Sequence, residues 1–190
     1  EGRALRMDTD TTSGKRSHDE ILDEFRRGEA DILYGTQMVV KGLDFPRVSL
    51  VGLVMADSVL YMNDYRACER MFSLITQLVG RAGRAAKRGS ALIQTYNPLH
   101  QTLRLGAKQD YEAFYNSEIR LRKSVLFPPF CDIAVFGFSS KDEGVLENTA
   151  AEFSARFEQE ANALAGKISV IKMGPFRDGI YKIGDKYRNR

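Results

Sequence analysis

Residues 31–45 read DILYGTQMVVKGLDF, a short apolar run followed by a loop that carries polar and charged side chains. The apolar residues are consecutive rather than alternating, as is typical of a strand in a parallel sheet whose two faces are both covered. Similar runs occur at 48–57 (VSLVGLVMAD) and at 90–96 (SALIQTY). The stretch therefore predicts a strand that ends in a loop, within an α/β fold built on a parallel sheet.

Helical segments alternate with these strands. A first strand is predicted at 3–9, and a helix follows with Ser17 as its N-cap, Gly28 past its end, and an apolar stripe of Ile21, Leu22 and Phe25. A second helix is predicted at 65–79, with Met71, Leu74, Ile75 and Leu78 on one side. A long helical stretch at 98–125, interrupted near Gly106, completes the predicted first domain.

Two prolines in LFPPF, residues 126–130, stop any helix and predict a domain boundary. Beyond them we expect a strand at 132–140, a helix at 142–165 and a strand at 167–174. The sequence thus predicts two domains, 1–125 and 126–190, the second a small, incomplete α/β unit. The absence of an initiator Met and the abrupt end indicate a portion of a longer protein.

The loop after the 31–37 run has groups suited to binding phosphate. Ligand sites of α/β sheets form at the carboxyl ends of strands, where this loop begins. Thr36 offers a hydroxyl, Lys41 a cation, and Gly42 a close backbone approach, while Asp44 can accept hydrogen bonds. A plain strand-to-loop connection with Asp44 at a turn is the alternative, and spacing alone does not exclude it.

A second group of polar residues lies in QLVGRAGR, residues 77–84. On a helix Gln77, Arg81 and Arg84 stand at i, i+4 and i+7 and share one face, which suits a polyanion such as a triphosphate. The alternative is a basic helix end that complements the helix dipole. The dipole explains the arginines but not Gly80 and Gly83, since glycine costs about 1 kcal/mol in a helix.

Together the two segments resemble motifs V and VI of the superfamily 2 helicases, in the right order and roughly forty residues apart. Motif V corresponds to the segment from Thr36 to Asp44, and motif VI to the segment from Gln77 to Arg84. The resemblance narrows to the primosomal protein N′ family of bacterial replication-restart DNA helicases through ILYGTQMVVKGLDFPRVSLVGLVMAD, DYRACERMFSLITQLVGRAGR, IQTYNP and FPPF. It implies a second RecA-like helicase lobe, followed by part of a small α/β domain.

By this resemblance, Arg84 is the arginine finger of ATP hydrolysis, and Arg81 contacts the same phosphates or holds the finger's lobe. Gln77 positions the attacking water or bridges the lobes. Gly42 and Asp44 approach the ribose of the nucleotide or the finger. The P-loop and the DExH box belong to a first lobe that is not in this chain, so the chain is expected to be inactive alone.

The resemblance also implies that Thr36, Gln37 and Lys41 touch the DNA backbone, and that the motor moves 3′ to 5′ on single-stranded DNA. Arginine is common where this chain has Lys41, which puts a bidentate contact there in doubt. The implied cofactors are ATP and Mg²⁺, with zinc in the whole family but not in this chain. The implied partners are single-stranded and forked DNA, other primosome proteins and single-stranded DNA-binding protein, in the bacterial cytoplasm at the nucleoid.

Composition is compatible with these implications but does not require them. The net charge of +3 does not demand a nucleic acid, and no apolar run is long enough for a membrane span. Cys68 and Cys131 are far apart and have no CxxC partner, and His18 and His100 have no neighbours spaced as metal ligands. Two lone thiols fit a reducing cytosol.

Two other functions remain open from the sequence. One is a non-catalytic DNA-binding module, because FRDGIYKIGDKYRNR interleaves Phe176, Tyr181 and Tyr187 with five cations. The same pattern is also expected of an exposed edge strand. The other is a different superfamily 2 helicase, such as a branch-migration or RNA helicase.

Overall fold

The computed structural model of the protein describes residues 2–8, 18–36, 45, 47–82 and 89–190, with the backbone alone at Arg81. Within these residues the chain divides into two compact units, Glu1–Phe127 and Pro128–Arg190. The boundary falls within the LFPPF segment.

The first unit alternates strands and helices. Its elements in chain order are β1 (Ala4–Met7), α1 (His18–Arg27), β2 (Ile32–Gly35), β3 (Leu50–Leu53), α2 (Asp57–Leu60), α3 (Ala67–Ala82), β4 (Ser90–Ile93), α4 (Gln101–Lys108) and α5 (Tyr111–Ser124).

The strands of this unit pair in parallel, as the alternation with helices predicted. Strand β1 pairs with β2 in a register that places Met7 beside Gly35, and β3 pairs with β4 in a register that places Leu53 beside Ile93. Among the described residues these pairs form two separate two-stranded sheets. The α/β fold class is confirmed.

The prediction that both faces of the strands are covered is wrong for the described chain. Ile32, Tyr34, Leu50 and Leu92 are each more than half exposed. The helices of the first unit cover only part of each strand pair, and the apolar runs of β2, β3 and β4 contain half-buried and exposed residues but no fully buried one.

The predicted helix faces are confirmed. Ile21 and Leu22 of α1 are buried in a cluster with Leu5 and Met7 of β1, and Phe25 packs against that cluster. Gly28 follows α1 with φ +80°, and its N–H donates to the carbonyl of Phe25 at 3.0 Å, as expected of a glycine that ends a helix. The predicted N-cap, Ser17, lies outside the described residues.

Helix α3 forms the core of a second cluster. Met71, Leu74, Ile75 and Leu78, the predicted stripe, are all buried, with Met71 and Ile75 at 0% exposure. Ala56, Leu60 and Leu103 form the cluster together with Met71 and Ile75. The helix predicted at 65–79 is thus present and extends to Ala82.

The break predicted near Gly106 lies instead at Gln109. Helix α4 continues through Gly106 to Lys108, Gln109 adopts a left-handed conformation with φ +56°, and the carboxylate of Asp110 accepts the N–H of Ala113 at 3.1 Å to begin α5. Gly106 is a contact residue, because a Cβ built there would lie 3.1 Å from the Cβ of Ile75. Its role is therefore to let α4 approach α3 closely.

The second unit contains β5 (Phe138–Ser140), α6 (Glu143–Ala163), β6 (Arg177–Ile183) and β7 (Lys186–Asn189). These three strands form an antiparallel sheet in the order β5-β7-β6. The helix is close to its predicted position at 142–165, and an N-cap bond from Val145 N–H to the Asp142 carboxylate, at 2.8 Å, begins it.

Two strand predictions in this unit are wrong. The strand expected at 132–140 exists only from Phe138, and the one expected at 167–174 is absent apart from a single bridge between Ala165 and Ile168. A strand requires a hydrogen-bonding neighbour, and β7 reaches only the last three residues of the first segment. The tail supplies the strands instead, as the hairpin β6–β7 around Gly184.

Candidate nucleotide and DNA site

Thr36 is the described part of the motif V segment. It is exposed and lies one residue beyond the end of β2, beside the carboxyl end of β1, where Met7 pairs with Gly35. This is the sheet edge at which ligands of α/β folds bind. Gln37, Lys41, Gly42 and Asp44 lie outside the described residues, so their predicted roles stay predictions.

The chain beyond the motif V segment contacts α1. Phe45 meets Phe25 edge to face, with ring centroids 4.9 Å apart, and the guanidinium of Arg47 donates to the carbonyl of Arg26 at 2.6 Å. Phe45 and Arg47, which follow the motif V segment, are therefore held against α1, and Thr36, which begins that segment, directly follows β2.

Helix α3 carries the described part of motif VI. The helix runs through Gln77, Gly80 and Arg81, so Gln77 and Arg81 stand one turn apart on a single helix, as the spacing predicted. Gln77 is exposed, and its amide donates to the hydroxyl of Ser73 at 3.1 Å. Gly83 and Arg84 lie outside the described residues.

The glycines of this stretch have different environments. Gly80 is exposed, and among the described atoms a Cβ added there would meet only the amide nitrogen of Gln109, at 3.9 Å. At Gly89 a Cβ would collide with the backbone carbonyl of Ala82. Packing within the chain therefore requires glycine at Gly89, but the described residues give no reason for glycine at Gly80.

The start of α3 is held by a group of charged residues. The Asp64 carboxylate accepts the backbone N–H of Arg66 at 2.9 Å and pairs with Arg70 at 2.8 Å. The hydrogen bond from the Arg66 N–H, aided by the two guanidiniums, lowers the pKa of Asp64 below its ordinary value. This carboxylate stays ionised at neutral pH and anchors the start of the helix, about three turns before Gln77.

The carboxyl ends of β3 and β4 form a polar cluster that the sequence analysis missed. The carboxylate of Asp57 accepts the hydroxyl of Thr95 and the N–H of Tyr96, both at 3.0 Å. The ring of Tyr96, whose backbone is held by this contact, is 90% exposed. The acidic residue at the end of the apolar run 48–57 was the available signal for this cluster.

In the second unit the tail aromatics are partly engaged. The hydroxyl of Tyr181 donates to Glu143 at 2.7 Å, and this bond raises the pKa of Tyr181 to about 12. The Tyr187 ring lies 4.3 Å from the ammonium of Lys182. Phe176 is 54% exposed. Of the three predicted stacking rings, Phe176 is the most open.

The described residues contain no cluster of histidine, cysteine, aspartate or glutamate that could hold a metal ion. Cys68 and Cys131 are both half-buried and are not joined in a disulfide. Among the same residues, no helix has the length and apolar content needed to cross a membrane.

Comparison with known proteins identifies the class and then the family. Residues 2–86 match the family of the helicase conserved C-terminal domain. The chain is 42% identical over 186 residues to the replication restart protein PriA of Bacillus subtilis (strain 168), and 38% identical over 186 residues to that of Synechocystis sp. (strain PCC 6803). Each match covers 98% of this chain and 22% of the relative. A 47% identity to the PriA of Chlamydia pneumoniae covers 67% of this chain and 17% of the relative.

The first part of the chain is thus a helicase C-terminal domain on an α/β fold. The chain as a whole belongs to the family of the replication restart proteins PriA, and the family prediction is confirmed. It spans about a fifth of the length of the curated relatives it matches, 22% for the first two.

Proposed function

We propose that this chain forms the second RecA-like lobe of an ATP-dependent 3′–5′ DNA helicase that acts in replication restart. In this proposal the segment after β2 and the end of α3 complete an ATP site whose P-loop and acidic box lie on a first lobe. The sequence has no GxxxxGK[ST] loop of its own. The chain is therefore expected to hydrolyse no ATP by itself.

One observation carries the proposal. Within the matched helicase C-terminal domain, the segment that resembles motif V begins with Thr36 at the carboxyl end of β2, and the described residues of the segment that resembles motif VI, 77–82, lie on the last turns of α3. Thr36 and Gln77 are polar residues that are exposed and that a ligand can therefore reach. The open surface at Gly80 supports close approach by a second lobe or by the nucleotide.

The proposed roles follow from charge and geometry. Arg84 acts as the arginine finger, which stabilises the charge that develops on the transferred phosphoryl group. Arg81 contacts the same phosphates, and Gln77 orients the attacking water or bridges the lobes. Gly42 and Asp44 approach the ribose or the finger.

DNA contacts are assigned to the other end of the motif V segment. Thr36, Gln37 and Lys41 contact the phosphate backbone, so that closing and opening of the lobes during ATP turnover moves the strand. The first lobe would hold Mg²⁺, which would supply charge neutralisation at the bound triphosphate. Forked DNA, other primosome proteins and single-stranded DNA-binding protein are the proposed partners, and the bacterial cytoplasm at the nucleoid is the proposed location.

The experiment is Arg84→Ala in the full-length helicase that carries this chain. We expect DNA-stimulated ATP turnover to fall by about 10³-fold or more, since an arginine finger is worth that much in related phosphoryl transfers. Nucleotide binding should be largely retained. The matched control is Arg104→Ala, which removes an exposed arginine from α4 and should leave turnover unchanged. Turnover near wild type in the Arg84 variant would refute the assignment.

A DNA-binding role for the hairpin β6–β7 is a weaker candidate. Arg177 pairs with Glu143 and Glu147, and Arg188 pairs with Asp178, so part of the cationic charge of the tail is neutralised within the unit. Exposed Phe176 is the feature that favours it. A Phe176→Ala change in the full-length protein that lowers single-stranded DNA affinity with an unchanged salt slope would support base stacking at this position.

A further inference from the structure

Helices α4 and α5 lie beyond the matched helicase domain, which ends at residue 86, but they pack against α3, the helix that carries motif VI. Their joint is sharply defined. The N–H of Gln109 donates to the Gly106 carbonyl and the N–H of Asp110 to the Leu105 carbonyl, both at 3.0 Å. Backbone hydrogen bonds alone therefore define the turn between α4 and α5.

Contacts from α4 and α5 follow α3 along its length. The guanidinium of Arg122 pairs with Glu69 at 2.7 Å, and the Phe114 ring stacks on Phe72 at a centroid distance of 4.3 Å. Further along, Gly106 packs against Ile75. The last of these contacts, and the one nearest to motif VI, comes from Gln109.

The side chain of Gln109 reaches the middle of the motif VI helix. Its amide nitrogen donates to the backbone carbonyl of Thr76 at 3.3 Å, and it lies 3.9 Å from the position that a Cβ of Gly80 would occupy. Thr76 directly precedes Gln77, and Gly80 directly precedes Arg81. The amide therefore contacts α3 at the residue before Gln77 and one turn later beside Gly80, where the described part of motif VI lies.

The left-handed backbone conformation of Gln109 suggests that glutamine is needed here for its side-chain contact with Thr76. A left-handed backbone is unfavourable for glutamine, and glycine or asparagine fills such a position after a helix with less strain. Gln109 is exposed, so burial of its side chain does not explain the choice either. Its distinguishing property is an amide long enough to reach Thr76.

We propose that Gln109 is a positioning residue for motif VI, which fixes the end of α3 laterally and thereby sets the place of Gln77 and Arg81 at the nucleotide. This inference rests on the proposed function. A lateral hydrogen bond opposes tilting of the last turns of α3. Catalytic groups tolerate displacements of only about 0.5 Å.

The test uses variants of Gln109 in the full-length helicase, with ATP and single-stranded DNA. Gln109→Asn keeps an amide and tolerates the left-handed backbone but is one methylene too short, whereas Gln109→Glu keeps the length but cannot donate when ionised. We expect both changes to lower kcat of ATP turnover about three- to tenfold, because small misplacements of catalytic groups are costly. The KM for ATP should stay within about twofold, since ground-state binding is retained.

Gln109→Lys restores a donor of sufficient length and should recover most of the lost kcat. Gln101→Asn shortens an exposed glutamine at the start of α4 and serves as the matched control, with wild-type kcat expected. Unfolding temperatures of all variants are measured alongside. Only loss of the donor, not loss of stability, should track the loss of turnover.

Wild-type kcat in both the Gln109→Asn and the Gln109→Glu variants would overturn the inference. A fall in kcat that is matched by a fall in unfolding temperature would also overturn it, because the role would then be structural. Failure of this inference is distinguishable from failure of the proposed function. Arg84→Ala would still abolish turnover in the first case and would not in the second.

Discussion

The two helical glycines, Gly80 and Gly106, are expected to respond in opposite ways to the same substitution. Gly80→Ala should stabilise the fold by about 1 kcal/mol, the difference in helix propensity between the two residues. The added Cβ would meet only the Gln109 amide among the described atoms, at an ordinary contact distance of 3.9 Å. No described contact opposes the gain.

Gly106→Ala gains the same propensity but meets the side chain of Ile75. The new Cβ would lie 3.1 Å from both Cβ and Cγ2 of Ile75, which is buried at 0% exposure. Overpacking of this kind costs about 1–3 kcal/mol, so the net effect should range from about zero to 2 kcal/mol of destabilisation. Comparison of the two variants therefore separates the effect of the surroundings of each glycine on stability from the difference in helix propensity between glycine and alanine.

The assay is urea unfolding of the full-length protein and of each variant, followed by DNA-stimulated ATP turnover. For Gly80→Ala we expect higher stability and turnover reduced about tenfold or more, because the glycine surface is proposed to receive a second lobe or the nucleotide. A less stable Gly80→Ala variant would refute the structural reasoning. A more stable variant with normal turnover would refute the functional explanation of the glycine.

Three further changes test other parts of the structure. Gly89→Ala should destabilise the protein by at least about 2 kcal/mol in urea unfolding, because its Cβ would collide with the Ala82 carbonyl, a backbone group. Unchanged stability would contradict the position of Gly89 beside that carbonyl. Asp57→Ala should cost about 1–3 kcal/mol by the same measurement, since the two donors that the carboxylate accepts lose their partner, and a change below about 0.5 kcal/mol would contradict that role. In a residue-resolved NMR titration, Tyr181 should ionise with a pKa of about 12 and, after Glu143→Ala, closer to 10. The raised pKa means that this bond stabilises the fold fully below pH 10 and that its contribution disappears as the pH rises towards about 12; an unshifted Tyr181 would contradict the hydrogen bond.

The spacing of apolar residues was sufficient to predict the helices that bury one face. The stripe of α3 and that of α1 follow directly from the spacing of their apolar residues, and both are buried as predicted. The class of the fold followed from the alternation of such helices with apolar strands. Local pattern was enough because the spacing of the apolar residues decides which side of a helix is buried, whichever element covers that side.

Periodicity failed where a partner or a close approach decides the structure. Apolar content at 167–174 predicted a strand, but no described neighbour pairs with it along its length, and the polar tail forms β6 and β7 instead. Gly106 was interpreted as a helix break because its contact with Ile75 is not visible in the sequence. The true break at Gln109 depends on a left-handed residue that sequence rules seldom assign to glutamine.

The sequence predicted which two segments form the candidate site, but it predicted only part of their arrangement in space. The structure confirms that Gln77 and Arg81 share a helix and that Thr36 follows the end of β2. Gln109 was not found because it contacts Thr76 from 33 residues away in sequence. Contacts of this kind are set by the packing of three helices and leave no local pattern.

The most direct test of the central claim is the affinity of the full-length helicase for a transition-state analogue. ADP with Mg²⁺ and aluminium fluoride imitates the transferred phosphoryl group, and an arginine finger contacts that group most strongly in the transition state. If Arg84 is the finger, Arg84→Ala should weaken binding of this analogue by at least about a hundredfold while affinity for ADP alone stays within about twofold. Equal affinity of the variant and the wild-type protein for the analogue would contradict the claim that this chain completes the ATP site.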